Sequence, residues 1–142
     1  MASLVDELNG LLSSERGEVE ATNALMAELA ETDADIADSA ADVLQTASWS
    51  CSGLYHRINQ LKGTVTLDSA DLAEELSAEP DARSKLAFLC AAQERDKARI
   101  ESILKRSDLD ETTRGLLIDL TRAHDETLRW CESVLGEWEV VE

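Results

Sequence analysis

Four polar side chains interrupt the apolar faces that this sequence would otherwise bury, and their chemistry is that of metal ligands and their supports. They are Glu15, Cys51, Gln93 and His124. Carboxylate, thiolate and imidazole groups bind iron, manganese or zinc, and an amide can hold such ligands in place by hydrogen bonding. We predict that Glu15, His124 and Cys51 are metal ligands. Gln93 and Tyr55 would stand behind them as hydrogen-bonding neighbours.

The same residues allow a purely structural interpretation. Glu15 and His124 could form a buried ion pair that fixes the register of the helices, with Gln93 bonded beside it. An error of one residue in the facing of the first helix would instead place Glu15 on the surface. Free cysteine is among the most buried residue types, so all three cysteines are also candidates for small core residues.

Other catalytic chemistry is sparsely represented in the chain. His56 and His124 are the only histidines, and His56 falls off the apolar face of its helix, where a rim or surface position is expected. The cysteines are not closely paired, as a structural zinc site would prefer. Glu-x-x-His, the repeated motif of di-iron carboxylate bundles, does not occur. This pattern argues against a complete di-iron oxidase and favours a protein that is not an enzyme.

Helical periodicity places the four polar residues on four long segments, because apolar residues recur every three or four positions. Gly63 is expected to end the second helix, Pro80 to open the third, and Asp108 with Glu111 to cap the fourth. A short helix can form over 69–76, inside the longest connection. The predicted long helices cover 3–29, 34–61, 81–105 and 109–136.

Four helices of similar length predict one all-α domain over 1–142, an antiparallel four-helix bundle. Each polar interruption lies near the middle of its helix, so antiparallel packing would bring them to one level. The 64–79 connection is long enough to cross the bundle or to close a simple up-and-down arrangement.

Charge and composition limit the classes of partner that the chain can bind. The chain has 142 residues, 30 acidic against 13 basic side chains, and a net charge of −17. Such an excess of acid disfavours binding to nucleic acid or to an anionic membrane surface. No apolar run approaches the length of a membrane span, and the acidic N-terminus does not read as a secretion signal. Three cysteines, an odd number, are typical of a reducing cytoplasm.

Four tracts resemble a group of small, uncharacterised bacterial ferritin-like proteins. In that group a leucine-rich opening ends in Glu-Arg, the third helix carries Leu-Ala-x-Leu followed by a glutamine, and the fourth has a histidine seven residues before Cys-Glu. Here Gln93 follows Leu-Ala-Phe-Leu, and His124 stands seven residues before Cys131. The tracts are residues 8–17, 51–58, 86–93 and 124–132.

The resemblance implies the ferritin-like fold and does not imply an activity. It also implies carboxylate and histidine ligands in the middle of the bundle, positions that Glu15 and His124 match. The chain departs from the pattern in its second helix, where Ala47 stands four residues before Cys51 in place of an expected acid. A centre with two metal ions is therefore not expected.

These observations favour a self-associating helical bundle that binds one metal ion, with iron, manganese and zinc all open. Trp49 lies off the apolar face of its helix and is the best candidate for a dimer contact. One alternative is a metal-dependent redox or oxygen-handling enzyme. Another is a metal-free module that captures a protein partner through a helical groove.

Overall fold

The computed structural model describes residues 2–141, with side chains described as far as Trp138. The predicted all-α class is confirmed, and the described residues form helices without any strand. The helices are α1 (Leu4–Thr32), α2 (Ala34–Gln60), α3 (Leu72–Ser77), α4 (Ala82–Leu104) and α5 (Glu111–Val141).

The junction between α1 and α2 is tighter than the sequence indicated. α1 begins after Ser3, which forms a capping box with Asp6, and it continues past the predicted end at Leu29 as far as Thr32. Asp33 alone separates the two helices, and its side chain accepts a hydrogen bond from the Ile36 amide. The three residues after Leu29 contain no glycine or proline, so nothing in their chemistry ends the helix earlier.

The cap of α5 is Asp110 rather than the predicted Asp108. The Asp110 carboxylate accepts a hydrogen bond from the Thr113 amide at 2.7 Å. Asp108 is instead held by the guanidinium of Arg106 at 2.8 Å. α5 then runs to Val141, beyond the predicted end at 136, and Glu142 lies outside the described residues.

Gly63 has a different role from the expected helix-ending glycine. The left-handed backbone conformation falls on Lys62, with φ 62°, and none of the glycines has a positive φ. A Cβ added at Gly63 would lie 2.6 Å from Val5 Cγ1. Glycine is needed there because α1 passes closely, and not because of the turn itself.

The long helices pack as two hairpins laid side by side. α1 packs on α2, α4 packs on α5, and the hairpins meet through α1–α4 and α2–α5 contacts. Ser14 bonds Asp96, whereas Glu28, near the end of α1, pairs with Lys85 near the start of α4. Higher residue numbers on one helix therefore meet lower numbers on the other, so α1 and α4 run in opposite directions.

The connection between α2 and α4 travels along α1. Asn9 bonds the backbone of Thr64 and Thr66, and further along α1 the Ser13 carbonyl accepts a bond from the Ala70 amide. α3 then packs on α1 and α4. The segment thus carries the chain from the end of α2 to the start of α4 at the opposite end of the molecule.

The core divides into two apolar clusters. The Leu8 cluster fills one end, and the Leu25 cluster fills the other. On α1 the first cluster ends at Leu12 and the second begins at Ala21. The residues between these limits are not apolar on the inward face, and the same gap occurs on α4 and α5. The Leu8 cluster comprises Leu8, Leu11, Leu12, Leu54, Ile58, Ile100, Ile103, Leu117 and Leu120; the Leu25 cluster comprises Ala21, Leu25, Leu29, Ile36, Ala37, Leu72, Leu76, Leu86, Leu89, Ala92, Cys131 and Val134.

Candidate metal centre

A layer of five polar side chains fills the gap between the two apolar clusters. α1 contributes Glu15 and Glu18, α4 contributes Gln93 and Asp96, and α5 contributes His124. Each pair is spaced by three residues, so both members lie on one face of their helix. None of the five is more than 4% exposed. We call this set the polar layer.

Gln93 fixes the orientation of the histidine. Its Nε2 donates to Glu18 Oε2 at 3.0 Å, which turns its Oε1 towards His124 Nδ1 at 2.5 Å. An amide oxygen only accepts hydrogen bonds, so His124 Nδ1 carries the proton and donates it. The other ring nitrogen, Nε2, faces Glu15 Oε1 at 2.5 Å. Nε2 is therefore the nitrogen that points at the carboxylates.

The carboxylates converge with that nitrogen. One ligand atom from each of Glu15, Glu18, Asp96 and His124 lies within 4.8 Å of every other. Asp96 is held from outside by the Ser14 hydroxyl, which lies 2.8 Å from both of its oxygens. Glu18 Oε1 is completely buried and has no hydrogen-bond partner. A native structure rarely leaves such an atom unpaired, because desolvating it costs free energy that no bond returns.

The charges of the polar layer do not balance. Three carboxylates meet one imidazole, and none of the described lysine or arginine ion pairs reaches them. Burial raises the pKa of Glu18 well above its ordinary value, and the charges of Glu15 and Asp96 raise it further. Burial lowers the pKa of His124. The hydrogen bond to Glu15 and the negative charge of Glu15 outweigh burial, so the pKa is raised overall. The site holds excess negative charge that a cation would offset.

A small cavity of about 10 Å³ adjoins the layer, room for one water-sized occupant. Glu15, Glu18 and His124 line one side of it. α2 forms the opposite wall with small, neutral side chains, so it supplies no carboxylate to the site. These wall residues are Thr46, Ala47 and Ser50.

Three of the residues predicted from sequence come together here, namely Glu15, Gln93 and His124. Cys51 and Tyr55 lie elsewhere. Cys51 is half-buried against the Leu8 cluster, and Tyr55 is 46% exposed with its ring against His56.

The inward face of α2 explains the position of Cys51. The sequence analysis places Cys51 on the inward face of α2, whereas the buried positions there include Val43 and Ser50. The face is rotated by one residue, and a helix turn of 3.6 residues makes both choices compatible with the same apolar pattern. Cys51 consequently flanks the cavity wall and does not form part of it.

The sequence interpretation missed two of the buried acids. Neither Glu18 nor Asp96 is among the site residues predicted from the sequence. A signal for both exists, because Glu15-x-x-Glu18 and Gln93-x-x-Asp96 place a second polar group one turn from an already suspected one.

Comparison with known proteins finds no relative of this chain. No protein-family model, no curated protein and no solved structure matches the chain. Among the described residues, no helix is long and apolar enough to span a membrane.

Proposed function

We propose that this chain is a metal-binding four-helix bundle of the ferritin-like type, in which the polar layer holds one divalent cation. Glu15, Glu18, Asp96 and His124 are the proposed ligands. The observation that carries the proposal is Glu18 Oε1, a buried carboxylate oxygen without a partner beside two further acids. A cation at this point would give that oxygen its missing interaction.

Charge supports a divalent ion. With His124 neutral and the acids ionised, the four ligands carry three negative charges, and a dication would reduce the excess to one. Burying a charge without such compensation is costly, and the acids would take up protons instead.

The donor set narrows the choice of metal. Three carboxylates and one imidazole are hard to intermediate ligands, which suit Mn²⁺ or Fe²⁺ better than a thiolate-preferring ion. Zn²⁺ remains compatible with these ligands through its affinity for imidazole and carboxylate. Gln93 would act behind His124, because its bond to Nδ1 leaves Nε2 as the ligand atom.

The ferritin-like assignment draws on the direction of the helices. Neighbouring long helices run in opposite directions, and the connection after α2 crosses the length of the molecule. Four-helix bundles with one long crossover are the ferritin-like arrangement. A cytoplasmic location and a homodimer complete the proposal, with Trp49, which is 48% exposed, as the candidate dimer contact.

A metal-dependent redox or oxygen-handling enzyme is the second candidate. It is favoured by the α2 wall, where Ala47 and Ser50 leave one side of the site without a protein ligand. An ion bound by the four ligands would keep a position open there for water or a small molecule.

Elemental analysis of the purified protein, and of protein reloaded with Mn²⁺, Fe²⁺ or Zn²⁺ after chelation, tests the proposal. We expect one equivalent of metal and a raised melting temperature, since a ligand that binds only the native state stabilises it. Glu18→Gln and His124→Ala should lose the metal. Glu31→Gln, an exposed acid on the same helix, should retain it.

Wild-type protein that stays metal-free, and whose melting temperature none of the three ions raises, would contradict the proposal. Capture of a protein partner by such a metal-free protein would favour the interaction module instead.

A further inference from the structure

Two of the three cysteines, Cys90 on α4 and Cys131 on α5, lie at the same level of two helices that pack together. Lys97 Nζ pairs with Asp125 Oδ1 at 2.6 Å, which fixes the register of these oppositely directed helices. About two helical turns from that pair, on both helices, lie Cys90 and Cys131. Both pack in the Leu25 cluster, where Cys131 is buried and Cys90 is half-buried.

Interaction between the two thiols lowers the pKa of Cys90 and raises that of Cys131. A thiolate is the reactive form of cysteine, so the half-buried Cys90 is the better nucleophile of the pair. Cys131 is positioned to attack the sulfur of Cys90 once that sulfur is oxidised.

We propose that Cys90 and Cys131 form a reversible disulfide when the protein reacts with hydrogen peroxide, joining α4 to α5 next to the polar layer. The proposal does not depend on the bound metal, because the two thiols lie outside the ligand set. Disulfides in a reducing compartment are usually transient or redox-sensing, and this pair fits that use.

The reaction balances as two thiols and one peroxide giving a disulfide and two waters. The Cys90 thiolate attacks a peroxide oxygen, the S–O bond forms as the O–O bond breaks, and the departing hydroxide takes a proton. The Cys131 sulfur then attacks the Cys90 sulfenic acid, its thiol proton leaving with the displaced hydroxide as water. The two sulfurs are oxidised by two electrons in total, and the peroxide is reduced.

Cys51 provides a control within the same chain. It is half-buried like Cys90, but no cysteine partner interacts with it. Burial, followed by the charge of Glu15, raises its pKa to about 11. Cys51 should therefore remain a free thiol under peroxide concentrations that oxidise the pair.

The test treats metal-free protein with hydrogen peroxide, alkylates the remaining thiols, and maps the peptides by mass spectrometry. We expect a Cys90–Cys131 cross-linked peptide, alkylated Cys51, and full reversal by a thiol reductant. The cross-linked form should melt at a higher temperature, because a disulfide restricts the unfolded chain. The Cys51→Ser variant should behave like wild type.

The Cys131→Ser variant separates the two steps. Without its partner, Cys90 should accumulate as a sulfenic acid that dimedone can trap, and Cys90→Ser should trap nothing. If Cys131→Ser fails to fold, Cys131→Ala serves the same purpose, and the wild-type map stands without either variant. Two results would overturn the proposal, namely Cys90 and Cys131 both alkylated after peroxide, or disulfides formed only with Cys51 or between chains.

Discussion

Glu18 has one carboxylate oxygen bonded to Gln93 and another without a partner, although its side chain is fully buried. The polar layer therefore raises the free energy of the folded, metal-free chain. The energetic cost is concentrated in one residue whose neighbours, Glu15 and Asp96, are also acids. Such a group of buried acids is unfavourable unless a partner compensates its charge.

Replacing Glu18 with Gln should therefore stabilise the metal-free protein. The amide keeps the shape and accepts the Gln93 bond, and it requires neither a buried charge nor the uptake of a proton, for a gain of about 1–3 kcal/mol. Urea unfolding in the presence of a chelator measures the change, with Glu31→Gln as the exposed control. A loss of stability in Glu18→Gln would show that its carboxylate is already compensated in the metal-free state.

The same groups predict how stability depends on pH. The pKa of Glu18 is raised above 4.5 and that of His124 above 6.5, so the folded metal-free protein binds both protons more tightly than the unfolded chain. Their contribution is complete below the ordinary values and is lost as the pH rises through the raised ones.

The unfolding free energy of the chelated protein should therefore fall as the pH rises above 4.5 and through the raised pKa of each group, in addition to the effect of exposed groups. Glu18→Gln should reduce that slope, because one of the two protons is no longer taken up. An equal slope of unfolding free energy against pH in wild type and variant would show that Glu18 does not contribute to it.

The helices position the layer, and α1 does most of this because it contacts α2, α3 and α4. Its spacing from the crossing segment is set at Gly17, where an added Cβ would lie 2.7 Å from the Ala70 carbonyl oxygen. That close approach lies between Glu15 and Glu18 in sequence. One turn of α1 thus packs against the crossing segment through Gly17 and places Glu15 and Glu18 in the polar layer.

Gly17→Ala should destabilise the protein by about 1–3 kcal/mol, because the clash with backbone outweighs the better helix propensity of alanine. Gly115→Ala is the matched control, since it lies in α5 with nothing within 4 Å of its added Cβ. This control should gain up to about 1 kcal/mol from helix propensity alone. Thermal unfolding of both variants provides the comparison, and similar gains in both would show that the segment at Ala70 yields easily.

At the scale of the whole molecule, the polar layer joins two apolar clusters that would otherwise be separate cores. The proposed ligands come from α1, α4 and α5, whereas α2 supplies only the cavity wall. The first hairpin therefore supplies one helix to the site, and the second hairpin supplies two. An ion bound there would link the first hairpin to the second through α1.

Hydrogen exchange should show this inequality. Adding Mn²⁺ to chelated protein should slow exchange in the central turns of α1, α4 and α5, because the ion opposes their local opening. The centre of α2 should respond less, since none of its side chains is a proposed ligand. Equal protection in all four long helices would indicate general stabilisation of the fold without a localised centre.

The sequence by itself determined the helices, their approximate limits and the presence of polar groups at one level. Composition and apolar spacing are local properties, so Glu15, Gln93 and His124 were identifiable as interruptions without coordinates. The tertiary structure alone decided that Ser50 faces inward on α2 and Cys51 does not. It also decided that Glu18 and Asp96 join the site and that the long connection crosses the molecule. The physical reason is that a helix turn of 3.6 residues leaves neighbouring positions nearly equivalent until another helix packs against one of them.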